Sequence, residues 1–250
     1  MFAIGLILLL IGGIALIGGL LQKYRAGRVL KTPLLKTGEV QSRGPALEKR
    51  AVSAEGRLIT HNLVTAPVSG TQCLFYRYSV VAEWKSGDQK KTLLVEDGQA
   101  GASFSLDDGS GPVPIEPGRG GDFDLETTFK KTSGQGLKSI AAGGLIPFGD
   151  HGFSVAPGQR IKGIKIPNEA RYRVEERAML PAEKLYANGR LTDDGKIGSP
   201  KIASLMLSKK LRDELLASTG SLSKKLLIGG ASATALGGIL AVVGQLMTSA

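Results

Sequence analysis

The chain has 250 residues, with 32 Lys plus Arg against 22 Asp plus Glu, one Cys and two His. One cysteine excludes an internal disulfide framework, and three Cys and His in all cannot supply the four ligands of one structural zinc site. The formal net charge of +10 points first to nucleic acid or to an anionic membrane, and its position along the chain separates the two.

Residues 1–21 and 226–250 carry no Asp, Glu, Lys or Arg, so all of the charge lies between two apolar ends. The stretch from Lys23 to Arg50 holds eight basic and two acidic residues, and 201–225 holds six and two, which leaves 51–200 with 18 of each sign. A nucleic-acid-binding domain needs its cations on the folded face that meets the phosphates. A neutral centre between basic flanks therefore argues against nucleic acid and for a lipid bilayer with anionic headgroups as partner.

From the amino terminus, Phe2 to Leu21 (FAIGLILLLIGGIALIGGLL) is uncharged and, as a helix, long enough to cross a hydrocarbon core of ~30 Å. A cleaved signal peptide would put its basic residues before a shorter apolar run; here they follow it. This predicts a transmembrane helix over 1–21 and a basic juxtamembrane segment over 22–50, with Lys23, Arg25, Arg28 and Lys31 as headgroup contacts.

Residues 51–200 read as a mainly β domain, a sandwich or partly open barrel. In the run Thr65 to Tyr78 (TAPVSGTQCLFYRY), Pro67 rules out a central strand position and Ser69-Gly70 supplies a turn. The chain then enters a strand with Cys73, Phe75 and Arg77 on one face and Leu74, Tyr76 and Tyr78 on the other. Leu74–Trp84 and Lys91–Glu96 form a hairpin about Ser86-Gly87-Asp88, and Asp108-Gly109-Ser110-Gly111 turns into a strand at Val113–Ile115. Further strands are predicted at Phe123–Phe129, Ile161–Ile166, Tyr172–Leu180, Glu183–Leu191 and Lys196–Ile202, with a short helix over Lys138–Leu145.

An amphipathic basic helix and linker is predicted over 201–225, because Ile202, Leu205, Met206, Leu211 and Leu215 keep helical spacing to Ala217. Lys224 and Lys225 then precede a second uncharged run, Leu226 to Met247, predicted as the second transmembrane helix over 226–247. Gly229, Ala233, Gly237, Ala241 and Gly244 align small residues on one helix face, and Gly12, Ala15 and Gly19 do so on the first span, a pattern for helix packing within the chain or between copies. Lys and Arg flank both spans on the side of the central domain, which places that domain in the cytoplasm.

The core run resembles the APxSGxxCxxYR motif of GIDE-type domains, the membrane-flanked module of mitochondrial RING ubiquitin ligases and of many prokaryotic proteins. Ala66, Pro67, Ser69, Gly70, Cys73, Tyr76 and Arg77 carry the match; Trp84, the Asp107–Val113 turn and Glu175 to Gly189 support it. The resemblance implies a structural role for these residues in a prokaryotic-like member, in a bacterial or archaeal cytoplasmic membrane. In the ligases a zinc-binding RING carries catalysis, and the one Cys and two His here cannot build one. What the resemblance carries over is a membrane module acting in protein interaction or membrane organisation.

No catalytic, metal or cofactor site is predicted. His61 and His151 are far apart, Cys73 reads as a small buried residue, and the acidic pairs Asp107/Asp108 and Asp193/Asp194 lie beside turn glycines where Asp caps backbone donors. Glu175/Glu176 is a third acidic pair. The sequence contains neither GxSxG nor HExxH. The expected function is a non-catalytic two-span membrane protein whose β domain binds a protein partner or its own copies; the alternatives are a membrane-bound enzyme and an accessory subunit of a larger membrane complex.

Overall fold

The computed structural model describes residues 2–43, 47, 50–118, 120–133, 146–149, 153–156, 158–199 and 205–249. The chain divides into two compact units, Met1–Leu34 with Lys210–Ala250, and Leu35–Lys209.

The first unit is an antiparallel helix hairpin. Its helix α1 spans Phe2–Lys31, so Lys23, Arg25, Arg28 and Lys31 extend the apolar helix by about two and a half turns instead of forming a separate segment. Arg28 and Lys31 in its last turn complement the negative end of the helix dipole. A second helix in the same unit runs without a break over Arg212–Ser249, and Asp213 and Glu214 complement its positive end. Both helices are long and apolar enough to cross a membrane.

The second unit opens with a short helix, α2 (Thr37–Ser42), which makes the Arg212–Ser249 helix α3. Its strands are β1 (Ala51–Ile59), β2 (Val64–Thr65), β3 (Gln72–Cys73), β4 (Phe75–Ser86), β5 (Gln89–Gly101), β6 (Phe104–Asp107), β7 (Val113–Glu116), β8 (Gly121–Phe123) and β9 (Glu126–Thr132). They continue with β10 (Ile146–Phe148), β11 (Phe153–Val155), β12 (Arg160–Ile161), β13 (Ile164–Lys165), β14 (Arg171–Met179), β15 (Lys184–Leu191), β16 (Ile197–Gly198) and β17 (Leu205–Ser208).

Five strands close a barrel in the order β1-β6-β7-β16-β15, because β15 also pairs with β1 from Ala51↔Arg190 to Arg57↔Lys184. Only the β7–β16 contact in this ring is parallel. Counted along the chain the order is 1-2-3-5-4-1 with the third and fifth strands parallel, the connectivity of an OB-type Greek-key barrel. Strands β17 and β8 extend the barrel sheet beyond β15. The barrel core includes Val52, Ala54, Leu106, Val113, Ile115, Leu185, Ala187, Ile197, Leu205 and Leu207, all fully buried.

A second sheet, β5-β4-β14-β9, is antiparallel throughout and is built from two excursions of the barrel chain. One lies between the first and second barrel strands, the other between the third and fourth. Its inner face packs Val80, Ala82, Tyr172 and Val174 against Val68, Phe148 and Ile166. The mainly β class and the β4–β5 hairpin are as expected; Gly87 at the hairpin tip has φ +61°, the conformation such two-residue turns require.

Four expectations are corrected. Leu205 and Met206, expected on an amphipathic helix from Ile202, lie in β17 and are buried, and the helix begins at Arg212. Phe123–Phe129 is not one strand: the chain leaves the extended barrel sheet after Phe123 and joins the second sheet at Glu126, while the Asp124 carboxylate accepts from Ser208 Oγ and Lys209 N. Ile161–Ile166 is a small hairpin, because Lys162 (φ +47°) and Gly163 (φ +80°) turn the chain. Cys73 and Phe75 do not share a strand face, since a bend at Leu74 separates β3 from β4 and all three side chains are buried. The Lys138–Leu145 helix, His151 and Ile202 lie outside the described residues.

Candidate functional site

The core motif runs from the β2–β3 loop, Ala66–Thr71, through Cys73 in β3 to Tyr76 and Arg77 in β4. Ala66 N donates to Thr71 O at 2.9 Å and Gly70 N to Ala66 O at 2.9 Å, with Gly70 at φ +68°. That leaves the Val68 and Ser69 N–H groups without a ladder partner, and burying such groups unpaired is costly. Both donate to the Glu176 carboxylate, at 2.7 Å and 3.2 Å, and the hydroxyls of Ser69 and Thr128 donate to it as well, Thr128 at 2.8 Å. Glu176 is fully buried, so a single carboxylate ties the motif loop to β14 and β9.

Strand alternation explains why the Glu175/Glu176 pair divides. On β14 Tyr172, Val174, Glu176 and Ala178 face inward, while Arg171, Arg173, Glu175 and Arg177 face out. Glu175 pairs with Arg177 at 2.6 Å, and the hydrogen bond from Arg177, then the Arg177, Lys130 and Arg173 charges, hold its carboxyl below the usual range against the opposing effect of burial. Sequence reasoning weighed Glu176 only as half of an acidic pair; the inward phase of β14 is the signal that singles it out.

Around this hub, Pro67 is half-buried at the turn and Ala66 is buried beside Cys73 and Ala178. The Cys73 thiol donates to Val64 O at 3.4 Å, and burial, then the nearby Glu176 charge, push it up to about 11. It is therefore a protonated thiol at neutral pH, and a poor nucleophile. Tyr76 stacks on Tyr78 at 6.5 Å, and burial raises its hydroxyl pKa above the ordinary tyrosine value. Arg77 is exposed on the outer face of the second sheet.

A second polar cluster fixes the start of the β unit. Thr37 Oγ1 donates to Asp108 Oδ1 at 2.7 Å, Gly38 N donates to Ser110 Oγ at 2.9 Å, and Ser110 N donates to Asp108 Oδ1 at 3.0 Å. The β6–β7 turn thus caps the amino end of α2. A β-carbon at Gly38 would lie 2.1 Å from Ser110 O, so no other residue fits there without movement. Desolvation alone would raise the Asp108 carboxyl, but the hydrogen bonds from Ser110 and Thr37 outweigh it and hold the carboxyl at about 2. Asp107 caps Gly109 N and Gly111 N, the role read for an Asp beside turn glycines. His61 is exposed.

In the helix hairpin the close approach comes from Gly5, Gly12 and Gly19 on α1 and Gly230, Gly237 and Gly244 on α3, all buried and spaced by seven. A β-carbon at Gly12 would lie 2.4 Å from Thr234 Oγ1 and 2.7 Å from Thr234 N, and one at Gly237 would lie 2.8 Å from Gly5 O. Ser223 Oγ donates across the seam to Gly19 O at 3.2 Å. Ala233 and Ala241 flank the seam half-buried. Gly229, by contrast, is exposed with nothing within 4 Å of its β-position, so the seam follows a seven-residue repeat instead of a four-residue one. The antiparallel register puts Lys224 and Lys225, both exposed, at the same end of the hairpin as Lys23 and Arg25.

Neither curated proteins nor solved structures include a match to this sequence. The sequence model of the GIDE family, described as E3 ubiquitin ligase, matches residues 79–244, taking in β4 from its fifth residue, the four barrel strands after β1, the rest of the second sheet and most of α3. That match covers more than half of the chain, which belongs to the GIDE family.

Proposed function

We propose that the chain is a non-catalytic, two-span membrane protein whose β unit acts in protein interaction or membrane organisation. The observation that carries this reading is the use of the motif loop: the Val68 and Ser69 N–H groups and the Ser69 hydroxyl are consumed in holding Ala66–Thr71 onto Glu176, and Cys73 is a buried thiol. These residues support a scaffold, and the surfaces it presents are left for contact with partners. Lys23, Arg25, Arg28, Lys31, Lys224 and Lys225 meet anionic headgroups, each adding ~1 kcal/mol of attraction on an anionic leaflet. The positive-inside rule then sets the β unit on the cytoplasmic side.

Orientation is tested with Asp88→Cys at the exposed β4–β5 turn. An impermeant maleimide should label it only after cell lysis, and buried Cys73 keeps the background low. Labelling in intact cells would reverse the orientation. Crosslinking in native membranes followed by mass spectrometry tests the interaction reading, which fails if the β unit yields no crosslinks.

Ubiquitin-ligase activity, the description attached to the family, is assigned on this reading to chains that carry RING ligands; one Cys and two His are too few for this chain to form that site. Ubiquitin transfer by the purified chain with an E1 and an E2 would overturn that assignment.

A further inference from the structure

The 51–200 stretch is neutral in sequence, but folding separates its charges. The outer face of the second sheet is defined by cross-strand register: Arg177 stands opposite Arg77, Glu175 opposite Ser79 and Lys130, Arg173 opposite Val81, and Arg171 opposite Glu83. Across β4 and β5 the same face continues with Asp97 opposite Ser79 and Lys90 opposite Lys85. Seven basic residues thus share this face with three acidic ones.

Two of the three carboxylates are committed. Glu83 holds Lys90 at 3.1 Å and Arg173 at 3.3 Å, and Glu175 holds Arg177 at 2.6 Å and Lys130 at 3.8 Å. Arg77 has no carboxylate at ion-pair distance among the described residues, although it stands directly opposite another guanidinium. Like charges in cross-strand register are destabilising, and a local conflict of this kind marks a place where something else completes the balance. Between them lies a hollow of about 240 Å³ lined by Arg77, Tyr78, Ser79, Glu175 and Arg177.

We propose that this face docks an extended acidic segment of a partner protein, with one of its carboxylates seated between Arg77 and Arg177. The inference rests on the interaction reading above and names the surface that serves it. A guanidinium binds a carboxylate through paired N–H donors, which suits an arginine-lined seat. Arg171 and Arg173 repeat along β14 at the two-residue strand period of ~6.8 Å, the period at which an extended peptide presents side chains to one side. Glu83, Glu175 and Asp97 are interleaved with the cations, so a uniform polyanion such as a nucleic acid or a lipid surface meets repulsion at each of them. A peptide avoids this by placing neutral or basic residues opposite.

The test uses the full chain in zwitterionic nanodiscs and a fluorescent peptide alternating Glu and Thr, with a Lys/Thr peptide, an oligothymidylate and phosphatidylserine vesicles as competing probes. The acidic peptide should bind best. Its affinity should fall about tenfold in the Arg77→Glu, Arg173→Glu double variant and by a smaller factor in Arg77→Lys, which keeps the charge but loses the fork. Lys184→Glu on the barrel should leave it unchanged. Undiminished peptide binding in the double variant, with a native thermal melt, overturns the proposal, as does tighter binding of the oligonucleotide or the vesicles. If the double variant keeps the crosslinks of the native chain, this face is wrong while the interaction reading stands; if the native chain has no crosslinks, that reading fails and takes this one with it.

Discussion

The glycine seam of the helix hairpin and the Glu176 pocket of the β unit both bring backbone close to a neighbour, and they do so by opposite means. In the seam, side chains are deleted: Gly12 and Gly237 let one helix backbone meet the other. Helical N–H and C=O groups are already paired within their own helix, so close approach leaves nothing polar unsatisfied. In the Ala66–Thr71 loop the backbone has no such internal partner at Val68 and Ser69, and a charged side chain from β14 is brought into the interior to accept their hydrogens. Regular structure needs only the right shape at a buried contact, whereas a buried irregular loop needs chemistry. Size should therefore govern substitutions in the seam, and polarity those in the pocket.

The largest effect is expected at Glu176. Glu176→Leu keeps most of the volume but strands two backbone donors, which at ~1–3 kcal/mol each predicts a loss of about 4 kcal/mol. Trp84, the single tryptophan, reports unfolding of the β unit by fluorescence. Glu176→Gln should cost markedly less, and equal losses in the two variants would remove the distinction drawn between pocket and seam.

Next comes the seam, where Gly12→Leu forces a side chain into Thr234 and should cost about 2–3 kcal/mol by overpacking, read from the helical circular-dichroism melt in detergent. Gly13→Leu, one residue along with nothing within 4 Å of its β-position, should be neutral. If the two variants melt alike, the seam does not hold the hairpin.

A smaller effect is expected where α2 meets the β6–β7 turn. Asp108→Asn should destabilise the β unit by about 1 kcal/mol, the scale of a lost cap. The folded carboxyl sits below its unfolded value, so its contribution is present above pH 3.8 and is lost as pH falls through about 2. Because Asp108 is exposed, water screens it, and the acid limb should shift only slightly in the variant. The smallest effect concerns Cys73, whose thiol should resist maleimide at neutral pH until the β unit unfolds. Rapid labelling of the folded chain would show that the thiol is accessible.

Local patterns made some of this architecture legible. The two apolar runs, the β4–β5 hairpin with its Gly87 turn and the Asp107 cap rest on neighbours in sequence, and each is found where periodicity and turn chemistry place it. Of the helix expected over Ile202–Ala217, the part from Arg212 is helical while Leu205–Ser208 is a strand buried on both faces, and a short apolar run of that kind has no strand alternation to oppose a helical spacing. Small residues recur at mostly four-residue intervals in the sequence, but a helix packed along an antiparallel neighbour returns to the contact after two turns, which selects Gly230 over Gly229.

By itself, the sequence determined which segments are apolar enough to span a membrane, that the remainder is mainly β, and that the net charge of +10 lies beside the two apolar ends. These are properties of composition and short-range periodicity, and they survive any arrangement of the parts. Tertiary structure alone decided that the Val68–Ser69 loop lies over Glu176 and that a neutral stretch presents a cationic face. Both depend on which strands lie side by side and in what register, and the residues brought together are up to 108 positions apart along the chain.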